Sequence, residues 1–362
     1  MAAAELQIPD MVGCLERLLA QVPAGCVTTP GALAAALGNP VAARWIGHYL
    51  LHHPQQDLGP RHRVVRAGGR VLSAGQAARL RAEGIEVRTP DTVASRVSAG
   101  GQGETSVDLE RYGFQRFARE DPPPLEKLSR LQHDVVRRVR TRPPRGVLRL
   151  PRVVGGVDIS YTRTGEGVAA YCLVDVASGA LDWSATVRRP VRFPYISSYL
   201  SFRELPILLD LLDEVRAAGR LAAVLLVDGT GILHPRHAGI ASHLGVLASV
   251  ATIGVTKKLL CGQVQGHSPL RPLESRPVLL EGQPAGIALR PTAGSLRPIY
   301  ISPGHCVDLA FSERLARRLL VGRRLPEPIY WADRLSRRCA KNAMVSHFVI
   351  PSLRPPPGSG ET

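Results

Sequence analysis

A mixed α/β sheet domain with flanking helices, preceded by a small helical domain, is the architecture that this chain of 362 residues predicts. Three observations predict it. The length suits two cores, since a domain usually holds roughly 100–200 residues. Up to residue 89 the apolar segments are short and broken by Pro and Gly, whereas later ones begin as β-branched runs and then alternate with helical patterns. The composition, 44% hydrophobic and 21% charged, is that of a folded globular protein.

Each element can be justified in order. MVGCLERLLAQV has helical period and stops at Pro23-Ala24-Gly25; GALAAALG ends at Gly38-Asn39-Pro40; VAARWIGHYLLHH ends at Pro54. Short turns between apolar helices are what a helix-turn-helix shows. An irregular His- and Pro-containing stretch and a short helix complete domain 1–89. Residues 90–123, with SRVSAGGQGETS and DPPP, are poor in apolar side chains and rich in breakers, so they are expected to be a flexible linker. Within 124–350 come a helix, LEKLSRLQHDVVRRVRT, and three strands, VVGGVDISY, GVAAYCLVDV and ALDWSATV, expected as an antiparallel meander. A long amphipathic helix spans Tyr199–Ala218. AAVLLVDG lacks polar alternation and is a strand covered on both faces, as in parallel arrangements. VATIGV, RPVLLEG, PAGIALR and RPIYIS are further strands, and VDLAFSERLARRLLVG is a helix. The tail 351–362, from SLRPPPGSGET, is expected to be disordered.

Composition narrows the function. No run of about 18 uncharged apolar residues occurs, and MAAAELQIPD carries an acid where a signal peptide carries basic residues, so a cytoplasmic location is expected. The cysteines at 14, 26, 172, 261, 306 and 339 include no Cys-x-x-Cys pair, which argues against a zinc ribbon or a disulfide framework. A net charge of +16 draws the chain to a polyanion, with nucleic acid the leading partner. Only four of its 46 basic residues are lysine, a bias that genome composition also produces.

Four acids stand out. Asp158 lies on the strand VVGGVDISY, and Asp228 ends the apolar strand AAVLLVDG. Glu204 lies early in the long helix, and Asp333 lies in PEPIYWADR. Brought together, such carboxylates can hold Mg²⁺, which prefers hard oxygen donors and activates water against a phosphodiester. Singly, each reads equally as a surface charge or a helix cap.

The segment from about Leu125 to Arg338 resembles endonuclease V through GVDISY, FPYISSYLSFRE, VDGTGILHPRHAGIASHLG, TIGVTKK, SPGH and RLPEPIYWAD, in that order. The resemblance implies a ribonuclease H-like fold, a Mg²⁺ site with Mn²⁺ as a substitute, a monomer, and hydrolysis of the second phosphodiester 3′ of hypoxanthine. It implies metal-site roles for Asp158, Glu204, Asp228 and Asp333, and a catalytic role for Lys257, a cation suited to charge building on the phosphate. Tyr195 falls at the family's aromatic wedge, with Ser197 where most members have proline. Gly231, His234 and Gly254 fall at its pocket for the flipped base, and Thr230 replaces the usual His or Asn.

Residues 9–88 resemble the DNA-binding domain of O6-alkylguanine-DNA alkyltransferases and their alkyltransferase-like relatives, a small winged-helix-like fold, through VPAGCVTT, GNPVAARWIG and PRHRVV. The acceptor cysteine falls at Arg61, so no thiolate is available for alkyl transfer there. Arg44 matches the arginine that enters the duplex, and Pro30 replaces the tyrosine that assists nucleotide rotation. The combined expectation is a DNA repair endonuclease acting on damaged double-stranded DNA, with a DNA-binding, lesion-sensing domain. Two other functions fit the sequence: an endonuclease for inosine-containing RNA, and a non-catalytic lesion-binding protein.

Overall fold

The structure, a computed structural model, describes residues 6–52, 60–89, 105–143 and 149–342. It divides into two compact units, one of Ile8–Arg130 with Phe193–Ser197, the other of Met1–Gln7, Leu131–Arg192 and Ser198–Thr362.

The first unit holds helices α1 (Met11–Leu19), α2 (Pro30–Ala36), α3 (Ala43–His52) and α4 (Ala74–Ala82), and α1, α2 and α4 start where the sequence supplies caps. Asp10 accepts from Gly13 N, Thr29 from Ala32 N ahead of Pro30, and Ser73 from Gln76 N. Strand β1 (Val87–Arg88) pairs antiparallel with β2 (Ser106–Val107), and the short helix α5 (Leu109–Tyr112) follows. This corrects the expected linker 90–123, of which 90–104 lies outside the described residues. Residues 105–123 are built into the first unit: Val107 joins its core, Val27 N donates to Tyr112 O at 2.8 Å, and Gln21 exchanges bonds with the backbone of Ala118. Backbone pairing, which polar and breaker-rich composition does not reveal, holds the segment. Helix α6 (Pro124–Arg138) runs on from there.

The second unit is built on one nine-stranded sheet of β3 (Val153–Tyr161), β4 (Glu166–Asp175), β5 (Leu181–Pro190), β6 (Val224–Asp228), β7 (Ala251–Thr256), β8 (Gln263–Val264), β9 (Ser275–Leu280), β10 (Gln283–Leu289) and β11 (Ile299–His305). Their spatial order is β5-β4-β3-β6-β7-β11-β10-β9-β8. The meander β3-β4-β5 is antiparallel as expected, while β3/β6 and β6/β7 are parallel. Helices α7 (Leu200–Ala217) and α8 (Ile240–Ala248) cover one face, and α9 (Leu309–Arg318) and α10 (Glu327–Lys341) the other. Because side chains alternate along a strand, β4 sends Ala169, Tyr171 and Leu173 to the α7/α8 face and Val168, Ala170, Cys172 and Val174 to the α9/α10 face. That two-sided burial explains its unbroken apolar run. No helix among the described residues is long and apolar enough to cross a membrane.

Candidate active site

The parallel contact between β3 and β6 sets Val157 beside Val227, so the next residues, Asp158 and Asp228, stand side by side at the carboxyl end of that pair. Period-two alternation turns Asp158 toward α10, on the same face as Gly156 and Ser160. At Gly156 a Cβ would lie 2.3 Å from the Pro328 carbonyl, so only glycine lets α10 approach this closely. The helix then delivers Asp333, and the three aspartates offer oxygens that all lie within 4.8 Å of one another.

Electrostatics define what this cluster can do. Burial, reinforced by Asp228, pushes the Asp158 carboxyl up to about 7, and burial also raises Asp228 against the lowering effect of Lys257. Lys257 Nζ lies 2.9 Å from Asp333 Oδ1 and 3.5 Å from Asp228 Oδ2. Burial works against its charge, but Asp228 and Asp333 outweigh it and hold its pKa above the usual lysine value. Lys258, adjacent in sequence, is exposed instead. Three crowded carboxylates, facing Lys257 and Arg337, form an all-oxygen donor set of the kind that fits Mg²⁺.

Glu204, the fourth carboxylate expected at the metal site, has a different immediate setting. It lies outside the group of three and accepts instead from the Tyr161 hydroxyl at 2.8 Å. Burial first, then Asp158 and Asp228, raises its carboxyl to about 8. Glu204 sits in the second turn of α7, on the other face of the sheet from α10.

Two residues of the site escaped sequence reading. Ser336 donates to Asp158 Oδ2 at 2.6 Å and accepts from Ser160 at 2.8 Å, and Arg337 donates to Asp333 Oδ1 at 3.0 Å. A helical reading of PEPIYWADRLSRR would have placed both on Asp333's face, three and four residues on.

The expected base-reading residues fall into two groups. Tyr195 is 62% exposed, as a wedge requires. Gly231 and Gly254 instead sit backbone against backbone: a Cβ on Gly254 would meet Gly231 N at 2.4 Å, and one on Gly231 would meet Pro303 O at 1.9 Å. His234 is buried; its Nδ1 accepts from Arg236 N, which leaves Nε2–H to donate to Ser198 O at 3.1 Å. Burial, helped by Arg236, depresses its pKa to about 3, which favours the neutral ring. Arg236 and Gln132 donate to the same carbonyl, at 2.6 and 3.1 Å.

In the first unit, α3 buries Trp45, Ile46 and Tyr49 and leaves Arg44 exposed. A separate cavity of about 500 Å³ is lined by Pro30, Leu51, Arg61, Val64, Leu72 and Gln76, among others. Arg61 Nη1 donates to Leu50 O at 3.4 Å on its wall.

Fold and site together define a metal-dependent phosphodiester hydrolase, with three aspartates and a lysine at the parallel junction of a mixed sheet. Residues 133–334 match the family Endonuclease V. The chain belongs to the endonuclease V family. It is 39% identical over 216 residues to endonuclease V of Xylella fastidiosa, covering 59% of this chain and 88% of that protein. The catalytic domain of human endonuclease V superposes with a TM-score of 0.55 at 33% identity, over 61% of this chain and 96% of that one. Ciona intestinalis endonuclease V, solved with a 24mer DNA containing an inosine followed by a ribo-adenosine, gives 0.53 at 25% identity, over 59% and 96%. Residues 15–86 match the DNA-binding domain of 6-O-methylguanine DNA methyltransferase, so the first unit is an alkyltransferase-like DNA-binding domain.

Proposed function

We propose that the chain is a Mg²⁺-dependent DNA repair endonuclease that nicks the second phosphodiester 3′ to deoxyinosine, carrying at its N-terminus a domain that binds DNA and senses alkylated guanine. The convergence of Asp158, Asp228 and Asp333 within an endonuclease V domain supports this reading most directly. The inosine-containing DNA bound by the Ciona relative supports the choice of lesion.

The three aspartates would hold the metal, which supplies an activated water and offsets charge on the phosphate. Lys257, held between Asp228 and Asp333, places a second positive charge where the phosphate would carry its developing charge. Ser336 and Arg337 fix the orientation of Asp158 and Asp333. Glu204 acts as an outer carboxylate, kept in place by Tyr161. Tyr195, exposed and aromatic, is the side chain to fill the gap left by an extruded base. In the first unit the cavity beneath Pro30 and Leu51 has room for an alkylated base, and Arg61 at the acceptor position limits the domain to binding.

The test is incubation of the full chain with Mg²⁺ and a labelled duplex carrying one deoxyinosine, beside inosine-RNA, O6-methylguanine and undamaged controls. A single nick one nucleotide 3′ of deoxyinosine is expected. Cleavage of RNA alone would transfer the site to another substrate, and no cleavage at all would leave a lesion-binding protein.

A further inference from the structure

A cavity in the nuclease unit, of about 370 Å³, is lined by Arg137, Arg138, Arg140, Val246, Ser249 and His305. Its position follows from topology. Asp228 ends β6 and Lys257 follows β7, so the aspartates lie at the carboxyl end of that parallel pair. The intervening α8 runs back along the sheet, and its last residues, with Ser249, reach the cavity; His305 pairs with Thr252 near the start of β7. The cavity is therefore at the opposite end of the sheet. The six residues of β7 put about 20 Å between the two ends.

We infer that this cavity is a second nucleic-acid contact, a site for the phosphodiester backbone of a duplex that extends beyond the catalytic carboxylates. No carboxylate lines it, and among the described residues neither Arg138 nor Arg140 forms an ion pair. Arg137 pairs with Asp134 in an exposed contact, which leaves it accessible to an incoming phosphate. Cations in the last turn of α6 are favoured by the helix dipole, but that preference accounts for Arg137 and Arg138 alone. Arg140 lies beyond the helix and His305 arrives on β11. The two are tied together, with Arg140 N donating to His305 Nδ1 at 3.3 Å and Cys306 N to Arg140 O at 2.6 Å. Planar guanidinium forks converging on a concave polar pocket match phosphate oxygens, which they can grip in pairs. A polyanion rather than a single small anion is favoured by the chain's net charge of +16. The inference rests on the chain acting on nucleic acid and not on which base it reads.

The experiment compares the full chain with its Arg138→Gln/Arg140→Gln variant. Affinity for an undamaged duplex long enough to span both ends is measured against salt, alongside cleavage of a short deoxyinosine duplex confined to the catalytic end. Each lost phosphate contact lowers the slope of log affinity against log salt by roughly 0.9, so a drop of about 1.8 is expected on the long duplex. Cleavage of the short duplex should keep its normal rate, which also shows that the variant folds. An exposed control pair, Arg297→Gln/Arg318→Gln, has the same charge change and should alter the slope much less. An unchanged slope, or one equal to the control's, overturns the proposal. Titration with inorganic phosphate provides the remaining arm: phosphate binding lost in the variant with the duplex slope intact would mark a small-anion site and overturn it too. Failure of the short duplex to be cut by the unaltered chain would count against the inosine reading and leave the salt comparison standing.

Discussion

At the scale of single residues the site is a balance of like charges. Asp158 and Asp228 stand side by side with raised carboxyl pKa values, and Ser336, Lys257 and Arg337 supply the hydrogen bonds that hold the cluster in order. Asp228→Ala should abolish cleavage, at least 10³-fold below the unaltered chain, while gel-shift affinity for deoxyinosine DNA stays within a few fold; parallel loss of binding would remove Asp228 from the metal site. Ser336→Ala leaves every carboxylate in place but frees Asp158 to turn. It should lower activity or Mg²⁺ affinity by roughly 10–100-fold, and a rate unchanged at limiting Mg²⁺ would show that the hydroxyl does no positioning. Glu83, in the first unit, contributes to acid stability. Glu83 accepts from Arg63, His62 and Gly25, and these bonds, Arg63's foremost, hold its carboxyl at about 2 against 4.5 unperturbed. Its folded pKa is depressed, so its contribution is complete above about 4.5 and is lost as pH falls toward 2. Glu83→Gln should therefore destabilise the first unit at pH 7, and the gap from the unaltered chain should close between pH 5 and pH 2 in thermal melts. A gap constant across that range would disprove the ion pairs' role. The aspartates were legible in the sequence because each ends or follows an apolar strand or matches a family motif. Ser336 and Arg337 were not, because serine and arginine on a helix are common surface residues until the helix is placed.

At the scale of elements, two glycines determine how closely neighbours approach. Gly156 admits the Pro328 backbone of α10, and Gly254 admits the loop that follows Asp228. Gly156→Ala should displace α10 and with it Asp333, costing about 1–3 kcal/mol of stability and most of the activity; a crystal structure with α10 unmoved would refute this. Most strands were legible, down to VVGGVDISY, because β-branched runs between turn residues have few other solutions. The proline inside α7 did not interrupt the long helix that its amphipathic pattern predicted. Residues 105–123 were misread because their order comes from pairing with β1 and with Val27, a tertiary effect that composition cannot carry. The setting of His234 was not legible for a related reason: Ser198, whose carbonyl its Nε2 meets, and Gln132, which bonds the same carbonyl, come from segments far apart in sequence.

At the scale of the whole molecule, an alkyltransferase-like DNA-binding domain and an endonuclease V domain share one chain, and the proposed sensing role draws on the high effective concentration that such a tether gives. Arg44→Ala should weaken binding to alkylated duplexes by roughly tenfold in fluorescence anisotropy, without changing the rate at which deoxyinosine is cut. If neither quantity moves, Arg44 is a solvated charge. The order of the aspartates along the chain has a consequence for biosynthesis. Asp158 is made early in the nuclease unit, Asp228 later, and Asp333 near its end, and the proposed metal site draws on all three. A nascent or truncated chain ending before α10 has two of these carboxylates and lacks Asp333, so on the proposed mechanism it should not cut before α10, the last helix among the described residues, is made. Long-range closure of this sort would make metal capture depend on completed folding.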